Sequence, residues 1–226
     1  MNIFEHGAVS LSFDDGWLSG YENALPILVK HDFKGTFYVV SSYLDGKQFP
    51  RYMNKEHIRE LAVKGNEIGS HTVSHKHLLA ETSTIVWDEL SIAKKYLEEI
   101  VGNVRTFAYP YGEYTSEVID AVKKAGYLGA RSTIRGWNNN SADPYLLKVQ
   151  AVRVEVEPEE VYTWIDIAVK KNAWLILMFH QVDYEGRIWS TTPDKLENIA
   201  SYISREKVRV ITIDEGLRLI NGFARI

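Results

Sequence analysis

Short runs of β-branched and aromatic residues alternate with helical segments along the whole 226-residue chain, and this alternation limits the fold more than any other feature. The β-rich runs are Ala8 to Phe13, Gly35 to Val40, Glu67 to Ser70, Val104 to Ala108, Leu128 to Ser132, Val149 to Val156, Trp174 to Phe179 and Val208 to Ile213. Helical segments fall between them at Tyr21 to His31, Lys55 to Lys64, Ser116 to Ala125, Glu159 to Lys170 and Pro193 to Ser204. The clearest helix carries Val86, Leu90, Ala93, Leu97 and Ile100, with Thr82, Ser83 or Thr84 as its cap and Gly126 closing the helix that follows. Several strands are continuous apolar runs such as WLILMF, which suits a parallel sheet covered on both faces. Seven or eight such units favour a (β/α) barrel over an open sheet. No repeat or linker divides the chain, so residues 1–226 read as one domain.

Composition narrows the function. Cysteine is absent, which excludes disulfides, zinc fingers and thiol catalysis, so any metal must be held by His and carboxylates. A net charge of -4 argues against broad electrostatic binding of nucleic acid. No stretch reaches the roughly 20 apolar residues of a membrane span. Met1 to Gly7 lacks the pattern of a signal peptide, so the chain reads as cytosolic or as the trimmed form of a secreted protein. The sequence fixes no oligomeric state.

The polar residues at strand ends carry the chemistry. In a parallel barrel all strand C-termini open on one face, where active sites are built. Asp14, Asp15 and Gly16 follow the first strand, His71 and His75 the third, Tyr109 to Gly112 the fourth, and His180 ends WLILMF. Asp-Gly alone is a common turn, a bare HxxxH is weak, and a lone His at a buried strand end is commonly a satisfied core residue. Together they give Asp, His, His with positions left open, the composition of a catalytic metal site. His180 is then credible as a general acid.

These residues resemble a known family. Ser12–Gly16 (SFDDG), His71–His75 (HTVSH), Ala108–Gly112 (AYPYG), the Leu177–His180 strand end and the closing Val210–Gly216 are similar to the ordered motifs of NodB-type polysaccharide deacetylases, carbohydrate esterase family four. The resemblance implies a distorted (β/α)7 barrel and a divalent metal, usually zinc, with cobalt or nickel able to serve. It implies removal of N-acetyl groups from poly- or oligosaccharides containing N-acetylglucosamine. Asp14 would be the general base, Asp15, His71 and His75 the metal ligands, Tyr111 an oxyanion donor through its N–H, and His180 the acid. Thr72 and Ser74 would brace the second histidine's loop, Tyr109 and Pro110 would border the substrate, and Leu177 would line the acetyl pocket.

Two departures stand out. Many members carry an arginine where Ala108 stands, and Arg153 on the sixth strand is the candidate replacement. An Asp-Trp motif is not recognisable, with Trp137 and Asp166 the candidate substitutes. Rival readings are an O-deacetylase of acetylated xylan, a non-catalytic sugar-binding module, and a metal-free relative acting on ring amides.

Overall fold

The computed structural model describes residues 3–222, so both ends of the expected 1–226 domain lie outside the described residues. Eight parallel strands form β1 (Ala8–Phe13), β2 (Thr36–Val39), β3 (Glu67–Ser70), β4 (Thr106–Ala108), β5 (Gly129–Arg135), β6 (Leu147–Ala151), β7 (Trp174–Phe179) and β8 (Arg209–Val210). Between and after them run α1 (Leu25–Lys30), α2 (Lys55–Val63), α3 (Ser83–Val101), α4 (Ser116–Lys124), α5 (Pro158–Lys171), α6 (Pro193–Arg205) and α7 (Ile213–Ile220). Strands β1 to β7 neighbour one another in sequence order, and β1 returns to pair with β7 along its whole length. The ring of seven closes where Ser12 and Phe13 meet Thr36 and Phe37. Lower on the same edge of β1, Ala8 and Val9 pair instead with Arg209 and Val210. Two partners sharing one edge make this a distorted (β/α)7 barrel.

Alternation along the strands sorts side chains between lumen and helical shell. On β7, Trp174, Ile176 and Met178 join the lumen cluster, whereas Leu175, Leu177 and Phe179 pack outward under the helices. The indole of Trp174 donates to Ser10 Oγ at 2.8 Å, and Ser10 donates to the Ile211 carbonyl at 2.6 Å. Its ring also leaves no room at Gly216, where a Cβ would lie 2.4 Å from it. In α3, Val86, Leu90, Ala93 and Leu97 are buried as the periodicity predicts, and Thr82 is the residue that caps it.

Two of the boundaries that differ from expectation have a visible cause. The sixth strand stops at Ala151, because the Lys195 ammonium takes up the carbonyls of Arg153, Val154 and Val156 and holds them in a turn. The last strand covers only Arg209–Val210, and Ile213 instead opens α7. There Thr212 and Glu215 form a reciprocal capping box, a Thr-x-x-Glu signal readable in the sequence.

Beneath the lumen lies a buried carboxyl with a stability consequence. Glu67 accepts from Thr36 Oγ1 and the Asp214 N–H at 2.8 and 2.9 Å, and from Thr106 Oγ1. Burial pushes its carboxyl up to about 7, against the lowering effect of these donors. A carboxyl raised in the fold favours folding most when both states are protonated. That advantage declines as pH rises from the unfolded value of 4.5 towards 7 and is then constant. Glu67→Gln should therefore gain stability over the parent between pH 5 and pH 8, by on the order of 1–3 kcal/mol in urea unfolding. A difference that does not change with pH would place the proton elsewhere.

Candidate active site

Strand parity aims Asp14 into the barrel. Ala8, Ser10 and Ser12 face the lumen, and Asp14 extends that row, its N–H bonded to the Phe179 carbonyl at 2.9 Å. Asp15 then turns the other way. Its φ of 68° and the 77° of Gly16 break the strand and swing the second carboxylate toward β3. Adjacent residues thus reach separate partners.

Asp15, His71 and His75 bring one ligand atom each to a common point. Asp15 Oδ1 lies 3.4 Å from His71 Nε2 and 3.3 Å from His75 Nε2, and the two nitrogens are 3.2 Å apart. His71 Nδ1 donates to the Ala108 carbonyl at 2.8 Å, which leaves its Nε2 as a lone pair facing the others. Burial first, then the charge of His71, pushes His75 down to about 4, so its ring is neutral near pH 7. Burial opposes ionisation of Asp15, but His71, His180 and His75 outweigh it and hold the carboxyl below its usual range. Asp15 Oδ1 is buried with no hydrogen-bond donor, while Oδ2 accepts from Trp17 Nε1 at 2.9 Å. Two imidazole nitrogens and a carboxylate oxygen converging on one point fit a divalent cation.

The guanidinium that meets Asp14 belongs to Arg131. Its Nη2 lies 2.5 Å from both Asp14 oxygens, and the pair is almost wholly buried. In the ladder between β4 and β5, Arg131 stands directly across from Ala108. The small side chain at Ala108 leaves space that the neighbouring strand fills at the same height. The expectation for Arg153 is corrected: it lies past the end of β6, pairs with Glu155 at 2.6 Å and sits over Trp189.

His180 reaches the same mouth, with Nε2 at 3.9 Å from Asp14 Oδ2 and its ring against Trp189 at 4.9 Å. Neither expected substitute for the missing motif is near it. Trp137 donates to the Trp164 carbonyl, and Asp166 accepts from Tyr202 on the outer helices. The pocket, about 370 Å³, is lined by both aspartates, the three histidines, Tyr109, Tyr111, Gly112, Thr133, Met178 and Trp189. Two expected lining residues are replaced. Leu177 is fully buried under the helices, so Met178, next along the strand, takes the pocket wall. Pro110 is buried and does not line it. Tyr111 has φ 58° and stacks on His77 at 3.7 Å, a histidine that pairs with Glu113 at the surface. Gly112 must be glycine, since a Cβ there would fall 1.9 Å from Thr133 Oγ1.

The family model for polysaccharide deacetylases matches residues 2–130, which hold Asp14, Asp15, His71, His75 and the Ala108–Gly112 turn. The chain belongs to the polysaccharide deacetylase family. YxkH of Bacillus subtilis, a protein named for the same family, is 30% identical over 151 residues, covering 66% of this chain and 52% of its own length. The poly-β-1,6-N-acetyl-D-glucosamine N-deacetylase of Staphylococcus aureus is 28% identical over 160 residues, 65% of this chain and 55% of that one. The chain thus spans about half the length of the curated relatives it matches. Among solved structures, the Xyl-CE4 domain of a multidomain xylanase from the hindgut metagenome of Trinervitermes trinervoides shares the fold. Its TM-score is 0.68 at 18% identity, over 96% of this chain and 91% of that domain. Among the described residues no helix is long and apolar enough to cross a membrane.

Proposed function

We propose that this deacetylase removes N-acetyl groups from poly- or oligosaccharides containing N-acetylglucosamine, with a divalent metal, most simply zinc, held by Asp15, His71 and His75. One observation carries the reading: three candidate ligand atoms converge beside a buried Asp14–Arg131 pair and a histidine, in a single pocket. A cation bound there supplies Lewis-acid polarisation and a water of lowered pKa. Asp14 accepts the proton of the attacking water, and Arg131, bonded to both of its oxygens, holds the carboxylate in place. The Tyr111 N–H donates to the oxyanion as it develops. His180 protonates the departing sugar nitrogen, without which the C–N bond does not break. Met178 and Tyr109 border the acetyl group. The relative named for N-deacetylation of an N-acetylglucosamine polymer supports the amide over the ester reading.

The test combines metal analysis with acetate release from N-acetylglucosamine oligomers and acetylxylan side by side. The wild type should hold about one divalent cation per chain and release acetate from the amide substrates. His71→Ala should lose both cation and turnover and still unfold cooperatively. Full metal occupancy in that variant would remove His71 from the ligand set, and release from acetylxylan alone would favour the ester reading.

A further inference from the structure

The loop that carries His75 is held from outside the barrel by a single buried carboxylate. Glu89 of α3 is only 6% exposed. Its Oε2 accepts the N–H groups of Val73 and Ser74, both at 2.9 Å, and its Oε1 accepts the Ser74 hydroxyl at 2.6 Å. The backbone on either side of the gripped amides is unfavourable by itself. Thr72 and His75 both have positive φ, 69° and 55°, a region that costs a β-branched residue most. Other polar groups of the loop are engaged too. Ser41 and Ser42 donate to the carbonyls of Thr72 and Val73, and the His75 N–H donates to Thr72 Oγ1 at 2.9 Å.

We propose that Glu89 is the positioning residue of the Asp15–His71–His75 triad. Its carboxylate fixes the turn between two positive-φ residues that aims His75 Nε2 at the other two ligand atoms, so a divalent cation meets a donor set already assembled. The proposal rests on the metal reading of the triad. The physical argument is local. His71 needs no such help, since it directly follows β3, with its N–H bonded to Val39 O and its ring to Ala108 O. His75 lies four residues on, in a turn of strained backbone. Charge-assisted acceptance of three donors by one carboxylate is among the stronger ways to hold such a turn. Outer residues that orient metal ligands commonly set affinity by roughly 10–100-fold.

Co2+ alone is the probe, with affinity measured by competition against a chelator and the visible spectrum recorded. Amide exchange at Val73 and Ser74 is measured separately in the metal-free protein. Glu89→Leu should bind Co2+ roughly 10–100-fold more weakly, with an altered spectrum and loss of protection at those two amides. Glu89→Gln keeps an acceptor for both N–H groups and should restore affinity to within about tenfold of wild type. Should Glu89→Leu fail to fold, Ser74→Ala decides, since it removes only the hydroxyl donor. It should weaken Co2+ binding and change the spectrum, and wild-type values for both would overturn the proposal. So would Glu89→Leu binding Co2+ as the wild type does, or weakened binding with both amides still protected. A wild type that takes up no Co2+ would instead refute the metal reading, while the exchange data from metal-free protein would still decide whether Glu89 holds the turn.

Discussion

Asp14→Asn should keep its divalent cation and lose deacetylation by roughly 10²–10⁴-fold, the effect of removing a general base. The two aspartates are adjacent in sequence but separated in geometry. Asp15 shares a point with both imidazoles, whereas Asp14 faces the lumen and the guanidinium of Arg131. An asparagine at position 14 keeps the size of the side chain and cannot take a proton from water. Acetate release and bound metal, measured on the same preparation, check both halves of the expectation. Wild-type turnover in this variant would assign the base to another group, and loss of the cation would place Asp14 among the ligands.

Arg131→Met should be strongly destabilising. The Asp14 carboxylate is 4% exposed, and methionine leaves it without a counter-charge. Breaking a buried pair from one side commonly costs about 3–5 kcal/mol. For a chain of this length that is a fall of roughly 6–20 °C in Tm. The cost arises from the stranded charge more than from a lost attraction, so a second change should recover much of it. Arg131→Met combined with Asp14→Asn should be more stable than Arg131→Met alone. Thermal unfolding of the two single variants and the double variant reads this directly, and strictly additive losses would show that the two groups do not depend on each other. Arg131→Lys keeps the charge without the planar fork and should retain more stability than activity.

The contrast between Arg131 and Arg153 shows what the sequence made legible. The strands were readable because each is a run of β-branched and apolar residues, and Ala8–Phe13, Glu67–Ser70 and Trp174–Phe179 have the expected limits. The meeting of Asp14, Asp15, His71, His75 and His180 was readable because a parallel barrel gathers strand ends on one face. What failed was parity over a strand of misjudged length. Extending β6 to Val156 would keep Arg153 in the row of Leu147, Val149 and Ala151, which faces inward. The strand stops at Ala151 because of Lys195, a residue more than forty positions away that no local pattern reveals. The usable signal lay at Arg131, a full charge inside a predicted barrel strand, which must find a counter-charge if the strand is buried. Leu177 failed by a single step of the same alternation, since the residue beside it faces the pocket. Glu89 left no local signal, because its partners lie some fifteen residues earlier and on a different kind of element.

The shared edge of β1 bears on how the chain is made. Ser10 bonds to Ile211 across 201 residues, and Ser12 to Leu177 across 165. Contacts so distant along the chain close late, because the loop entropy must be met before they form. During synthesis the strand that delivers both aspartates leaves the ribosome well before its partners β7 and β8. Until residues 174–179 follow, one edge of β1 is unpaired, and Val9, Leu11 and Phe13 lie along that open edge. An open apolar edge of this kind is where chains stick to one another. The segment that carries the chemistry is thus also the one that most needs shelter while the chain is being completed.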